Sequence, residues 1–171
     1  MIALGAGSLA ASPLAASPLA SSPLAGAANE VPLPAIGAPL PLPDVALLDG
    51  SLFKASEAQG KVVLVYWWAS WCPFCAAQAP DIQKLWDTQR AHGLMMLGLS
   101  VDKRIEDARK YMAKRGYTYP TGFNTPAIER VLPKPGKAIP VTCVRGKDGR
   151  VVMSEMGQLF PEDVQGIARS L

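Results

Sequence analysis

After Lys61 the chain runs Val-Val-Leu-Val-Tyr-Trp-Trp without a polar interruption. Such a run predicts a strand buried on both faces of a mostly parallel sheet. Leu94-Met95-Met96-Leu97-Gly98-Leu99-Ser100-Val101 predicts a second. Between them Ala79, Ile82, Leu85 and Trp86 recur at helical spacing. This stripe predicts a helix from about Pro73 to His92, ended by Gly93 and kinked at Pro80. Ile105, Ala108, Tyr111 and Met112 line a second helix closed by Gly116, and Thr125-Pro126 opens a short third. Val141-Thr142-Cys143-Val144 and Val151-Val152-Met153 read as strands joined by a polar hairpin loop, residues 145–150. A last helix is expected from Pro161 to Leu171, with Val164, Ile167, Ala168 and Leu171 inward. The order β-α-β-α, then β-β-α, implies an α/β fold with a mixed central sheet flanked by helices.

The N-terminal part has a different pattern. Val45-Ala46-Leu47-Leu48 and Ser51-Leu52-Phe53 flank Asp49-Gly50, a pair suited to a tight turn, so a β-hairpin extension is expected ahead of the main sheet. Residues 29–43 are proline-rich and read as an extended linker, with the globular domain at 44–171. The first charged residue is Glu30, and before it come three Ser-Pro-Leu-Ala repeats. Prolines at five-residue spacing are incompatible with a membrane-spanning helix. Residues 1–28 are read as an export signal remnant, with Ala25-Gly26-Ala27 as a small-residue cleavage site and the missing basic residues expected upstream. The alternative is a disordered Ala/Ser/Pro tail.

A length of 171 residues, 49% apolar with four tryptophans, suits one domain with a real core. A net charge of +3 gives no electrostatic case for nucleic acid. Three cysteines are too few for a disulfide-stapled scaffold.

Two of those cysteines carry the chemistry, in Trp71-Cys72-Pro73-Phe74-Cys75. The pair falls where a buried strand gives way to a helix start. A spacing of three brings both sulfurs onto one turn. A sulfur at the helix start faces N–H groups with no partner, which favours the thiolate, the attacking species in thiol–disulfide exchange. Pro73 fits the first helical position because the donor it lacks would be orphaned there. Cys72 is thus the candidate nucleophile, reachable by another protein's sulfur. Cys75, one turn inward, is the candidate resolving thiol. Covalent haem would need His after Cys75, where Ala76 stands, and zinc would need a second ligand pair that the chain does not supply. No metal or other cofactor is expected.

The segment Tyr66 to Cys75 resembles the active-site strand and turn of thioredoxin-like proteins, above all exported TlpA/ResA-type thiol–disulfide oxidoreductases. Leu42 to Gly50 is similar to that family's opening hairpin, Ala138-Ile139-Pro140-Val141-Thr142 to its cis-proline segment, and Lys147 to Val152 to its following hairpin. The resemblance covers most of the chain from Pro43 and implies a thioredoxin-like fold. It also implies a cis Ile139–Pro140 bond beside the cysteines, and a substrate-binding rim of Trp71, Pro73, Phe74, Ile139 and Pro140. Two positions depart from the family: Tyr66 stands where thioredoxin has a buried Asp, and Gln78 where TlpA/ResA-type proteins often have Glu. No carboxylate is then evident to deprotonate Cys75.

Cys143 is expected to be a buried free thiol. His92, Arg130, Lys134 and Lys137 are expected to be solvated. The combined expectation is a monomeric, periplasmic oxidoreductase acting on protein disulfides or thiols, as a reductase supplied by a membrane electron donor. Its rivals are a disulfide-donating oxidase and a copper-binding or chaperone-like module of the same fold.

Overall fold

The computed structural model describes residues 1–2 and 30–171; the expected export signal and its cleavage site lie outside the described residues. Among the described residues seven strands and four α-helices follow in chain order: β1 (Val45–Ala46), β2 (Leu52–Phe53), β3 (Val63–Trp68), α1 (Pro73–Gln89), β4 (Met95–Ser100), α2 (Ile105–Arg115), β5 (Thr121–Phe123), α3 (Pro126–Val131), β6 (Val141–Arg145), β7 (Val151–Met156) and α4 (Pro161–Gly166). β1 and β2 form the expected antiparallel hairpin, and the rest form one sheet in the order β5-β4-β3-β6-β7. β3, β4 and β5 run parallel, whereas β6 and β7 are antiparallel to their neighbours.

Every residue of β3 is buried, as its unbroken apolar run requires. Its alternate side chains enter two cores. Leu64, Tyr66 and Trp68 pack with Cys75, Ile82 and Leu85 of α1, Ala108 and Met112 of α2, and Val164 of α4. Val63, Val65 and Trp67 face the opposite core with Ile128 of α3, Val45 and Phe53 of the hairpin, and Cys143. The crossovers from β3 to β4 and from β4 to β5 step the same way across the sheet, so α1 and α2 share a face.

The helix ends are locally coded. Gly93 (φ 97°) follows a 3-10 turn at Arg90–His92, and Gly116 (φ 67°) closes α2; both φ values suit glycine best. Thr125 Oγ1 accepts from the Ile128 amide at 3.3 Å and caps α3. α1 continues through Pro80.

Three expectations change. The last helix stops at Gly166 and tightens into a 3-10 turn over Ile167–Ser170, although Val164 and Ile167 are buried as expected. β5 lacked any pattern to predict it, since its three residues centre on Gly122. A Cβ there would come within 2.3 Å of Val45 Cγ1 and 3.1 Å of the Ala46 carbonyl, so glycine is what lets the hairpin approach. The proline-rich stretch is extended, but it lies on the domain. The Gly37 amide donates to the Val151 carbonyl at 2.8 Å, the Val151 amide to the Ala38 carbonyl at 2.9 Å, and Leu40 is buried. The stretch thereby covers the outer edge of the sheet where β7 begins.

Candidate active site

The parallel strands β3 and β4 end at one edge of the sheet, where β6 begins and β7 finishes. Ser70, Trp71 and Cys72 follow β3 there, and Pro140 precedes β6. The Cys72 amide donates to the Ala69 carbonyl at 3.2 Å, closing a turn that hands the chain from strand to helix. Cys72 is the N-cap of α1, with extended backbone (φ −86°, ψ 116°) and Pro73 at the first helical turn. Its Sγ accepts from the Cys75 amide at 3.2 Å, one of the donors orphaned at a helix start. Both cysteines are free thiols.

The Ile139–Pro140 bond is cis, as the resemblance implies. The Ile139 carbonyl oxygen lies 3.7 Å from Cys72 Sγ, so residues 67 positions apart meet at the nucleophile. Trp71 and Phe74 project beside it, 66% and 61% exposed. The expected accessibility of Cys72 is corrected: it keeps only 3% of its surface. The reason is the Ile139–Pro140 segment, which comes down on the sulfur while the neighbouring aromatics take the solvent. Trp67 and Trp68 are core residues, as expected.

Cys75 is 2% exposed. Burial, then the thiol–thiol hydrogen bond with Cys72, pushes its thiol far above the usual range. Hydrogen bonds from the Ala69 backbone and the Tyr66 hydroxyl draw it partly back. Tyr66 is fully buried, and its hydroxyl proton is shared between this thiol and the Cys75 carbonyl, 3.4 Å away. Burial raises this phenol well above its ordinary value, so it serves as a neutral donor. Gln78, also fully buried, accepts from the Leu159 amide at 2.8 Å through Oε1 and donates to Thr142 Oγ1 at 3.3 Å through Nε2. It therefore ties α1 to β6 and to the loop before α4.

Ser70 and Asp102 were not singled out from the sequence. The Asp102 carboxylate, 5% exposed, accepts from the Ser70 amide, the Ser70 hydroxyl and the Ser100 hydroxyl. A cleft of about 560 Å³ opens beside this contact, between Trp71, Val101, Lys103 and Asp107. The available signal was positional: an acidic residue just past a buried parallel strand falls at the same sheet edge as residues just past its neighbour.

Cys143 is fully buried on the opposite face of the sheet from the pair, with Sγ 3.4 Å from Ser154 Oγ, and burial raises its thiol. His92 is exposed, its Nδ1 3.0 Å from the Thr88 carbonyl oxygen. Lys134 is partly buried, its Nζ donating to the Pro135 and Gly136 carbonyls, which departs from a freely solvated charge.

Residues 36–153 match the model of the AhpC/TSA family. The chain belongs to the AhpC/TSA family. This AhpC/TSA-family chain is 22% identical over 137 residues to a thiol-disulfide oxidoreductase ResA of Bacillus thuringiensis (strain Al Hakam), covering 80% of this chain and 78% of that one. A thioredoxin-family thiol:disulfide interchange protein of Chlorobium tepidum TLS superposes with a TM-score of 0.71 at 26% identity, over 79% of this chain and 96% of that one. A secreted disulfide oxidoreductase of Mycobacterium tuberculosis gives 0.62 at 18% identity, over 76% and 96%. The fold is thioredoxin-like. Among the described residues no helix is long and apolar enough to cross a membrane.

Proposed function

We propose that this chain is an exported thiol–disulfide oxidoreductase in which Cys72 attacks and Cys75 resolves. The observation that carries the reading is a pair of free thiols at the start of α1, one capping the helix and the other behind it, beneath the cis-proline segment. The Cys72 thiolate attacks a substrate disulfide, displacing the Ile139 carbonyl contact, and expels one substrate sulfur as thiolate. The Cys75 thiol passes its proton to the departing second sulfur and attacks Cys72 Sγ. The first substrate sulfur takes its proton from solvent, which had received the Cys72 proton, so the substrate leaves as a dithiol and the protein as a Cys72–Cys75 disulfide. Tyr66 and the Ala69 amide lower the cost of charge on Cys75 during that step, in place of a carboxylate.

Trp71, Pro73 and Phe74, which are exposed, and the half-buried Ile139 form the substrate rim, whereas Pro140, also expected there, is buried and contributes through the backbone before it. An extended substrate would align along the backbone before Pro140. The reductase direction requires a reductant to reopen the disulfide, and in an oxidising envelope a membrane protein that carries a reducing dithiol suits it. Likeness to a secreted oxidoreductase and the uncharged stretch before Glu30 support export to the periplasm.

Trapping tests the role assignment. With Cys143 changed to Ser throughout, Cys75→Ser should accumulate mixed disulfides held through Cys72, and Cys72→Ser should accumulate none. Equal trapping by both would refute it. Equilibration with glutathione tests the direction, since a reduction potential above about −200 mV would favour the oxidase.

A further inference from the structure

We infer that Asp102 is the positioning residue for Cys72, acting through Ser70; this rests on the oxidoreductase reading above. β3 and β4 run parallel with Trp68 opposite Ser100. The Val101 amide donates to the Trp68 carbonyl at 2.9 Å. In a parallel ladder the next rung would carry the Ser70 amide to the Val101 carbonyl. The chains diverge here, because the segment after β3 must turn into α1. The Asp102 carboxylate supplies the missing rung. It receives the Ser70 amide at 3.2 and 3.1 Å and the Ser70 hydroxyl at 2.7 Å.

Burying a carboxylate is costly unless donors surround it. Among the described residues Asp102 is the only buried charged side chain, and it belongs to neither of the two ion pairs found there, Lys54–Glu57 and Arg104–Asp107. Its partners are neutral: two donors from Ser70 and the Ser100 hydroxyl at 2.8 Å, with the Asp102 amide returning to Ser100 Oγ at 3.2 Å. Those contacts converge on the residue two before the nucleophile. Ser70 is the first residue inside the Ala69–Cys72 turn, so fixing its amide and hydroxyl fixes where the turn delivers Cys72 Sγ. The same anchor directs Trp71 outward over the cleft. Exchange needs three sulfurs nearly in line, and a misplacement of about 1 Å can cost two orders of magnitude in rate.

The geometry separates hydrogen bonding from charge. Oδ1 accepts from both the Ser70 amide and the Ser70 hydroxyl. Asparagine can keep that oxygen for both Ser70 donors, giving up only the second arm of the amide bond at Oδ2, and turn its NH2 toward Ser100 Oγ, whose hydroxyl can rotate to accept. Alanine keeps nothing. The test is the rate at which Cys72 exchanges with 5,5′-dithiobis(2-nitrobenzoate) in Cys75→Ser/Cys143→Ser protein, per folded molecule, together with hydrogen exchange at the Ser70 amide. Asp102→Ala should slow exchange at least tenfold and deprotect that amide, whereas Asp102→Asn should stay within about threefold and keep it protected. Ser70→Ala should lose less than Asp102→Ala and add nothing in combination with it.

A lower melting temperature in Asp102→Ala with an unchanged Cys72 rate would overturn the inference. So would Asp102→Asn falling as far as Asp102→Ala, which would make charge the operative quantity. Wild-type protein that does not exchange would refute the oxidoreductase reading instead. The amide then decides the anchor alone, and equal protection in wild type and Asp102→Ala would overturn it.

Discussion

Gln78→Glu isolates the burial of one charge next to the resolving thiol. The two side chains share a shape, and Gln78 is fully buried. A glutamate can still accept from the Leu159 amide, and the Thr142 hydroxyl can rotate to donate to its second oxygen, so both hydrogen bonds survive. What changes is the cost of ionising without solvent. A buried carboxyl rises by as much as 3–5 units, and two donors favour the ionised form, so a rise of about 2 units from about 4.3 is a fair expectation. The folded value then exceeds the unfolded one. Stability should therefore match wild type below about pH 4 and fall as pH climbs toward the folded value near 6. By pH 7 the loss should reach about 2.7 kcal/mol, at 1.36 kcal/mol per unit. Urea unfolding at pH 4, 5.5 and 7 measures it, and a slope of about 1.5–3 kcal/mol per M converts the loss to a midpoint shift of roughly 1–2 M. A deficit equal at all three pH values would refute the reasoning, because it would come from misfit and not from charge. Wild-type stability at pH 7 would refute it from the other side, by showing that water reaches position 78.

Alkaline stability follows from the same linkage. Burial raises Cys75, Cys143, Tyr66 and Tyr119, so the folded state holds these protons while the unfolded chain releases them. Stability is full below about pH 8.5 and should then fall by about 1.4 kcal/mol per pH unit for each thiol, a slope that urea titrations of a Cys75→Ala/Cys143→Ala variant should show flattened. Gly122→Ala drives a Cβ into Val45 and should cost about 1–3 kcal/mol while loosening the β1–β2 hairpin, seen as faster amide exchange at Leu48, whose N–H bonds the Thr121 carbonyl. Tyr66→Phe removes one long hydrogen bond to the Cys75 carbonyl, worth about 0.5–1.5 kcal/mol by thermal unfolding. It should also lengthen the life of the Cys72 mixed disulfide in stopped-flow release, because Cys75 loses a donor; an unchanged lifetime would remove Tyr66 from the mechanism.

The regular elements were legible where one physical signal dominated. Unbroken apolar runs marked β3 and β4, and capping, proline and glycine chemistry marked the starts of α1 and α3 and the stop of α2. β5 escaped because a three-residue strand around Gly122 has no periodicity to read, and glycine there answers to a neighbour 77 positions earlier in the chain, Val45. The proline-rich stretch was legible as extended but not as docked, since its backbone bonds to β7 leave no mark on composition. The cysteine pair was legible in full because its spacing is local. The depth of Cys72 was not, because the group that covers it, the Ile139 carbonyl, arrives from the segment before β6, 67 positions along the chain.

The same division explains how the site is assembled. The reactive atoms lie within four residues of one another, whereas the groups that hold them come from β4, β6 and the loop before α4. Asp102 fixes Ser70, Gln78 reaches both Thr142 and Leu159, and the Gly157 amide bonds the Pro140 carbonyl at 2.8 Å. Each contact crosses between segments that meet only at this sheet edge, so none can form before the strands pair. A peptide spanning residues 66–78 would carry both thiols but not the rung, the tie or the covering carbonyl. The reactivity of Cys72 is in that sense a property of the β3–β4–β6 edge, and variants that loosen the edge should alter exchange at Cys72 even where they leave the two cysteines untouched.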